Sequence, residues 1–190
     1  NILWASALGG GVNKVVKRKV AFRHDVLSAG TAGNGIITAL YEDESSMVWV
    51  GARSDILLLW DKKTGKQYSY KELEVLKDIS REGNAVQAII KHRRTGSIWL
   101  GTRYDGVYVV ECDEAKPVSL MRLRDEYPSL RNINAMAQDA VGRVWIATEQ
   151  GLFIGNTIND RKYLVQPVNI LNDSIHDECV QRIMGLFIYL

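Results

Sequence analysis

Val48-Trp49-Val50-Gly51-Ala52, Ile98-Trp99-Leu100-Gly101-Thr102 and Val144-Trp145-Ile146-Ala147-Thr148 are three copies of one phrase, and Leu3-Trp4 opens a fourth. The four tryptophans stand 45, 50 and 46 residues apart. A near-fixed period in this range marks a repeat architecture, whose units cannot bury their apolar faces alone and must stack on neighbours.

Working outward from the tryptophans, each full copy is approached by a seven-residue apolar segment. These are Ile37-Thr38-Ala39-Leu40-Tyr41-Glu42-Asp43, Val86-Gln87-Ala88-Ile89-Ile90-Lys91-His92 and Ile133-Asn134-Ala135-Met136-Ala137-Gln138-Asp139. A β-branched first residue, alanine third and a large apolar fourth predict a buried strand, with the alanine where strands crowd. A short turn follows, with Gly96 and Gly142 at one distance before their tryptophans and Ser46 at the same place in the other copy. Glycine there supplies the positive φ of a tight hairpin. The tryptophan phrase is the second strand, and its Gly51 or Gly101 leaves room for another backbone. A second turn carries Arg53-Ser54-Asp55, Arg103-Tyr104-Asp105-Gly106 or Glu149-Gln150-Gly151, and Leu8-Gly9-Gly10-Gly11 in the first copy. Third strands are expected at 12–16, 56–60, 107–111 and 152–155, and outer strands at 67–70, 119–123 and 163–165. Within 71–82, Leu73, Leu76 and Ile79 allow a helical turn or two.

Hairpin after hairpin without helical crossovers means antiparallel sheet. Four strands per unit at this period predict propeller blades. The fold class expected is all-β: a partial β-propeller of about four blades in one unit over 1–190. Its blade phrases lie around 2–16, 36–61, 86–111 and 133–156, with a truncated start at 179–190. Trp60 stands alone in one third strand and reads as packing, with sugar stacking the alternative.

The string Ile-x-x-Ile-x-x-Asp, a turn, Gly-x-Ile/Val-Trp-Ile-Gly-Thr, a turn and Gly-Leu/Val resembles the two-component regulator propeller repeat. Gly101-Thr102 with Gly106, Asp139-Gly142-Trp145 with Gly151, and the opening Asn84 and Asn132 carry the likeness, which runs from Leu3 to about Gly155. Ile56, His92 and Ala147 depart from the usual Gly, Asp and Gly. After Val180-Gln181-Arg182-Ile183 the pattern is lost, which reads as a chain cut or altered early in a blade. The resemblance implies the periplasmic sensor region of a hybrid two-component regulator from Bacteroides-type bacteria. It implies a membrane-anchored parent with kinase and output parts, an oligosaccharide ligand, and signalling through a dimer. This segment itself is expected to be non-enzymatic. An open arc of blades would expose terminal faces, so self-association is expected.

Composition excludes several other functions. The 190 residues are 46% hydrophobic and 24% charged, with a net charge of +2, which argues for no nucleic-acid partner. The densest basic stretch, 14–23, interleaves valines and reads as a polar-faced strand or turn, with phosphate binding the alternative. No apolar run reaches the roughly 20 residues of a membrane span, so no membrane contact is expected within the segment. Cys112 and Cys179 match no zinc or redox spacing and read as unpaired thiols. His24, His92 and His176 share no catalytic or metal motif, and His176-Asp177-Glu178-Cys179 reads as a turn before a strand. Neither cofactor nor metal is expected.

Binding is expected on the face where second turns and inter-blade loops emerge together. The second turns differ from copy to copy, as functional positions on a shared face should. Arg53, Asp55, Arg103, Tyr104, Asp105, Glu149 and Gln150 are the candidate ligand residues, with Ser54, Asn34, Asn84, Arg131 and Asn132 beside them. Arg and Tyr next to Asp suit sugar hydroxyls and carboxylates through charge-assisted bonds and ring stacking. Two rivals stand against a ligand sensor: a scaffold whose ligand contacts lie elsewhere, and a propeller-type lyase using a His and an acid.

Overall fold

The computed structural model describes residues 2–7, 11–16, 36–52, 57–79, 84–113, 116–159 and 162–168, the first two segments as backbone alone. The described residues form three four-stranded antiparallel sheets and one two-stranded sheet. β1 (Ile2–Ala7) pairs with β2 (Gly11–Val16), with Trp4 opposite Lys14. The first blade is β3 (Ile37–Glu42), β4 (Met47–Ala52), β5 (Leu57–Asp61) and β6 (Gln67–Ser69) in sequence order. The second is β7 (Val86–Lys91), β8 (Ile98–Thr102), β9 (Val107–Asp113) and β10 (Lys116–Arg122). The third is β11 (Ile133–Gln138), β12 (Val144–Thr148), β13 (Gly151–Asn159) and β14 (Lys162–Pro167).

This is the expected up-and-down blade order. The outer strands β10 and β14 run longer than the sequence suggests, and the anticipated helical turns are 3-10 segments at Tyr70–Glu72 and Glu74–Ile79. The latter buries Leu76 and Ile79 completely. Each inner strand carries the same bulge, between residues 37 and 39, 86 and 88, and 133 and 135, so the alanine follows an extra residue that bends the strand. In the first blade that residue reaches the next, with Thr38 Oγ1 donating to the Val86 carbonyl at 2.5 Å.

The inner strands β3, β7 and β11 lie side by side, and the core sits between successive blades. Trp49 is fully buried with Leu57, Leu59 and Leu76 of its own blade and linker and with Val86, Ile89, Ile98, Leu100 and Tyr108 of the next. One blade on, Trp99 packs against Ile133, Met136, Phe153 and Tyr163, meeting the Tyr163 ring edge-on at 5.2 Å. Burying a ring of this size against a neighbour typically stabilises by about 3–5 kcal/mol relative to alanine. The glycines after the tryptophans set how closely blades approach. A Cβ on Gly51 would stand 2.6 Å from the Val86 carbonyl oxygen, and one on Gly101 would stand 2.5 Å from Ile133 Cγ2. Trp145 has no such successor among the described residues and packs with Ala135, Ala137, Leu152, Ile154 and Val168.

β3 departs from the buried strand its sequence predicts. Ile37 and Leu40 are 48% and 62% exposed, whereas their counterparts Val86 and Ile89 are buried by the blade before them. Trp60 is partly buried and packs on Val48, Val50 and Leu58.

Candidate functional site

The second turns and the inter-blade loops do emerge together, because each inner strand begins where its partner ends: Val86 pairs with Thr102 and Ile133 with Thr148. In the second blade the turn is built from its threonine. Thr102 Oγ1 donates to the Gly106 carbonyl and accepts from the Asp105 amide, and Gly106 takes φ 79°. A Cβ on Gly106 would stand 2.3 Å from the Leu130 carbonyl oxygen, so glycine is required twice over.

Asn84 clamps the same turn from the incoming loop. Its Oδ1 accepts from the Tyr104 amide at 3.0 Å and its Nδ2 donates to Asp105 Oδ2 at 3.2 Å, while the Arg103 amide donates to Ala85. Arg124, on the loop toward the third blade, donates to Asp105 Oδ1 and to the Tyr104 carbonyl, both at 3.0 Å. Asp105 is 1% exposed. It is therefore the internal anchor of the turn rather than a group offered to solvent. Arg103 and Tyr104 are exposed, with the guanidinium 5.2 Å from the tyrosine ring centre. In the third blade, Asn132 (φ 51°) donates from Nδ2 to Glu149 Oε2 at 2.6 Å, and Thr148 Oγ1 accepts from the Gln150 amide. Glu149 and Gln150 are exposed. Arg53, Ser54, Asp55 and Asn34 lie outside the described residues, as do Ile56, His24, His176, Cys179 and 179–190.

The opposite face is built on the first turns. Ser46, Gly96 and Gly142 occupy equivalent places with φ of 72°, 72° and 92°, the conformation expected of that position. Asp43 Oδ1 accepts from the amides of Ser45 and Met47, and Asp139 Oδ1 accepts from those of Val141 and Arg143. Asp139 Oδ2 also receives the Trp145 indole N–H at 3.0 Å and Arg143 Nε at 2.6 Å. Burial opposes its ionisation, but the bonds from Trp145 and Arg143 outweigh it and hold the carboxyl below the usual range.

His92 takes the aspartate's place in the second blade. Its Nδ1 accepts from the Thr95 amide at 3.2 Å, so Nε2 carries the proton and donates across to the Gly142 carbonyl at 3.0 Å. The ring stacks on Trp99 with centroids 6.1 Å apart. Burial pushes its pKa below the ordinary 6.5, with the Arg94 charge adding to the shift and the Gly142 bond opposing it.

Among the cavities that open on this side, two lie between blades, and sequence reasoning did not find them. One of about 770 Å³ is lined by Tyr41, Glu44, Lys91, Arg93, Arg94 and Gln138, among others. A neighbouring one of about 440 Å³ includes Asp43, Glu44, Lys91 and Cys112. The residues come from three blades, so no single copy of the repeat signals them. Cys112 is a free thiol whose pKa burial, helped by Asp43, pushes up to about 11. Among the described residues no group of three His, Cys, Asp or Glu side chains is placed to hold a metal, and no helix is long and apolar enough to cross a membrane.

Residues 127–150 match the family model described as two component regulator propeller. No curated protein matches the chain by sequence. Among solved structures, the extracellular domain of BT3049 from B. thetaiotaomicron, ascribed to a hybrid two component system, matches 93% of this chain at 19% identity and TM-score 0.56. Two structures of the extracellular domain of BT4673 from the same organism match 68% of it, at 20% and 18% identity and TM-scores 0.53 and 0.52. One of these is ascribed to a one component system and the other to a hybrid two component system. The chain spans 22% of the first and 16% of the other two. Residues 127–150 thus match the two component regulator propeller repeat, and the three antiparallel blades share their fold with the extracellular domains of BT3049 and BT4673.

Proposed function

We propose that the chain is part of the ligand-sensing region of a hybrid two-component regulator, lying in the periplasm, and that its second-turn face binds an oligosaccharide. The observation that carries this reading is the Arg103–Tyr104 pair. Both side chains face solvent, while the backbone beneath them is fixed by Asn84, Thr102, Asp105 and Arg124. A rigid aromatic beside a guanidinium binds a sugar ring by stacking and its hydroxyls by charge-assisted bonds, without ordering the loop at the moment of binding. Glu149 and Gln150 lie on the equivalent turn of the next blade and extend the same face.

In this role the segment is not an enzyme. The ligand binds two arrangements of the parent's dimer with different affinity, and the parent's kinase reads the shift. The ligand residues act only at binding.

A scaffold reading is favoured by one specific observation: Asp105, Asn84 and Asn132 are engaged in holding their own turns. Thermal unfolding of the full sensor region across a panel of host and dietary oligosaccharides separates the two. A sugar that raises the wild-type midpoint, and fails to raise that of an Arg103→Ala/Tyr104→Ala variant, supports recognition here. Equal shifts in both proteins assign the blades to scaffold.

A further inference from the structure

We infer that the first-turn face carries a second binding site, for a ligand bearing an oxyanion: a carboxylate, a sulfate ester or a phosphate. The site is the groove of about 770 Å³ where the inner strands of three blades end, with Tyr41 from β3, Lys91 from β7 and Gln138 from β11. That volume suits a small ligand. It lies on the side opposite Arg103 and Tyr104 and stands independently of the sugar-sensing proposal.

The charge of the groove is the first argument. Its lining holds Lys91, Arg93 and Arg94 against the carboxylate of Glu44. Glu44 is already paired with Lys91, and that bond lowers the pKa of the acid and raises that of the base. Among the described residues Arg94 pairs with no carboxylate and donates from Nη2 to the Thr157 carbonyl at 2.7 Å. The Arg93 guanidinium has no ion-pair partner among the described residues. Two guanidiniums without carboxylates, beside an open groove, offer the planar donor forks that suit an oxyanion.

The repeat supplies the second argument. Positions equivalent to Lys91, Arg93 and Arg94 hold Glu42, Glu44 and Ser45 in the first blade and Gln138, Ala140 and Val141 in the third. The turn needs none of these cations, because Asp43 and Asp139 close the same turn without them. Lys91 and Arg94 also tie their blade to its two neighbours, whereas the Arg93 side chain makes no such bond among the described residues and is available to a ligand.

Preorganisation is the third. The His92 amide donates to Ser97 and the Gly96 amide to His92, while the Arg93 amide donates to Gln138 Oε1 of the next blade at 3.0 Å. The backbone carrying both arginines is thus pinned at two ends, which lowers the ordering entropy that binding must overcome. Tyr41 adds an aromatic wall.

Calorimetric titration of the chain with galacturonate, glucose 6-sulfate and inorganic phosphate, with glucose as the neutral control, tests the site. Binding of at least one anion and not of glucose, persisting at about 0.15 M salt, is expected. Arg93→Ala is expected to weaken that binding by about tenfold or more with the unfolding midpoint unchanged, and Arg93→Lys to restore part of it. The arms sort the source: preference for the sugar acids means a saccharide, preference for phosphate a phosphorylated ligand. Failure of every anion to bind, equal binding by Arg93→Ala, or loss of all binding at that salt would overturn the site. Arg103→Ala/Tyr104→Ala should leave anion binding intact, so this proposal and the sugar-face proposal fail separately.

Discussion

Ser46 is the one non-glycine at the hairpin position that glycine fills in the other two blades, and it takes the same left-handed φ of 72°. A Cβ in that region is strained by about 1 kcal/mol. Ser46→Gly is therefore expected to raise the unfolding free energy by about 0.5–1 kcal/mol in urea titration, while Gly96→Ala and Gly142→Ala lower it by about 1 kcal/mol. His92 has the same sign of pH dependence as a paired carboxylate, although burial rather than an ion pair lowers its pKa. Its pKa in the folded chain lies below the unfolded value of 6.5, so the unfolded chain binds the proton more tightly. Stability is full above pH 6.5 and falls as pH drops through that value, with a slope of at most about 1.4 kcal/mol per unit, until the folded chain is protonated too. His92→Asn keeps an acceptor for the Thr95 amide and should flatten the pH dependence; a slope unchanged by the substitution would show that His92 does not control it. The pattern of tryptophans, glycines and turn acids was legible in the sequence because it recurs at one period along the chain. The role of His92 was not, since Gly142 and Thr157, the groups it meets, belong to another blade.

At the scale of the element, the second-turn loop of the middle blade is a case where sequence located the loop but not what its residues do. Arg103, Tyr104 and Asp105 were read together as ligand groups. The structure turns Asp105 inward, because Arg124 and Asn84 reach it from two other loops that no local pattern connects. Removing Arg124 leaves a buried carboxylate with a neutral partner. Arg124→Met is expected to destabilise the chain by about 2–4 kcal/mol, and to do so by much less in an Asp105→Asn background, as a double-mutant cycle would measure. Additive losses would place the effect outside this pair. The close approach of strands was readable in advance at Gly51 and Gly101, since glycine inside a strand signals a neighbouring backbone or side chain. Which neighbour it was, Val86 or Ile133, required the sheets to be placed.

Over the whole molecule, the period predicted blades, and the blades are there. What the period could not convey is that neighbouring interfaces differ: a histidine ring bridges the second and third blades, whereas a cavity lies at Asp43 and Cys112 between the first and second. The exposed stripe of Ile37 and Leu40 on β3, with Ile36 just before it, matches the surface that β7 and β11 bury against a preceding blade. Stripes of this kind drive association. Sedimentation of the isolated chain should show a concentration-dependent mass that Leu40→Glu reduces; a monomer at all concentrations would show that the stripe is not used between copies.

The blade order also bears on how the chain is made. Trp49 shares its core with residues between 86 and 110 of the next blade, and Trp99 shares its core with residues between 133 and 165. During synthesis, the hairpins of Trp49 and Trp99 therefore lack part of the packing of their indoles until the next blade emerges. Native packing of these two indoles is therefore expected to advance from the amino end one blade behind synthesis.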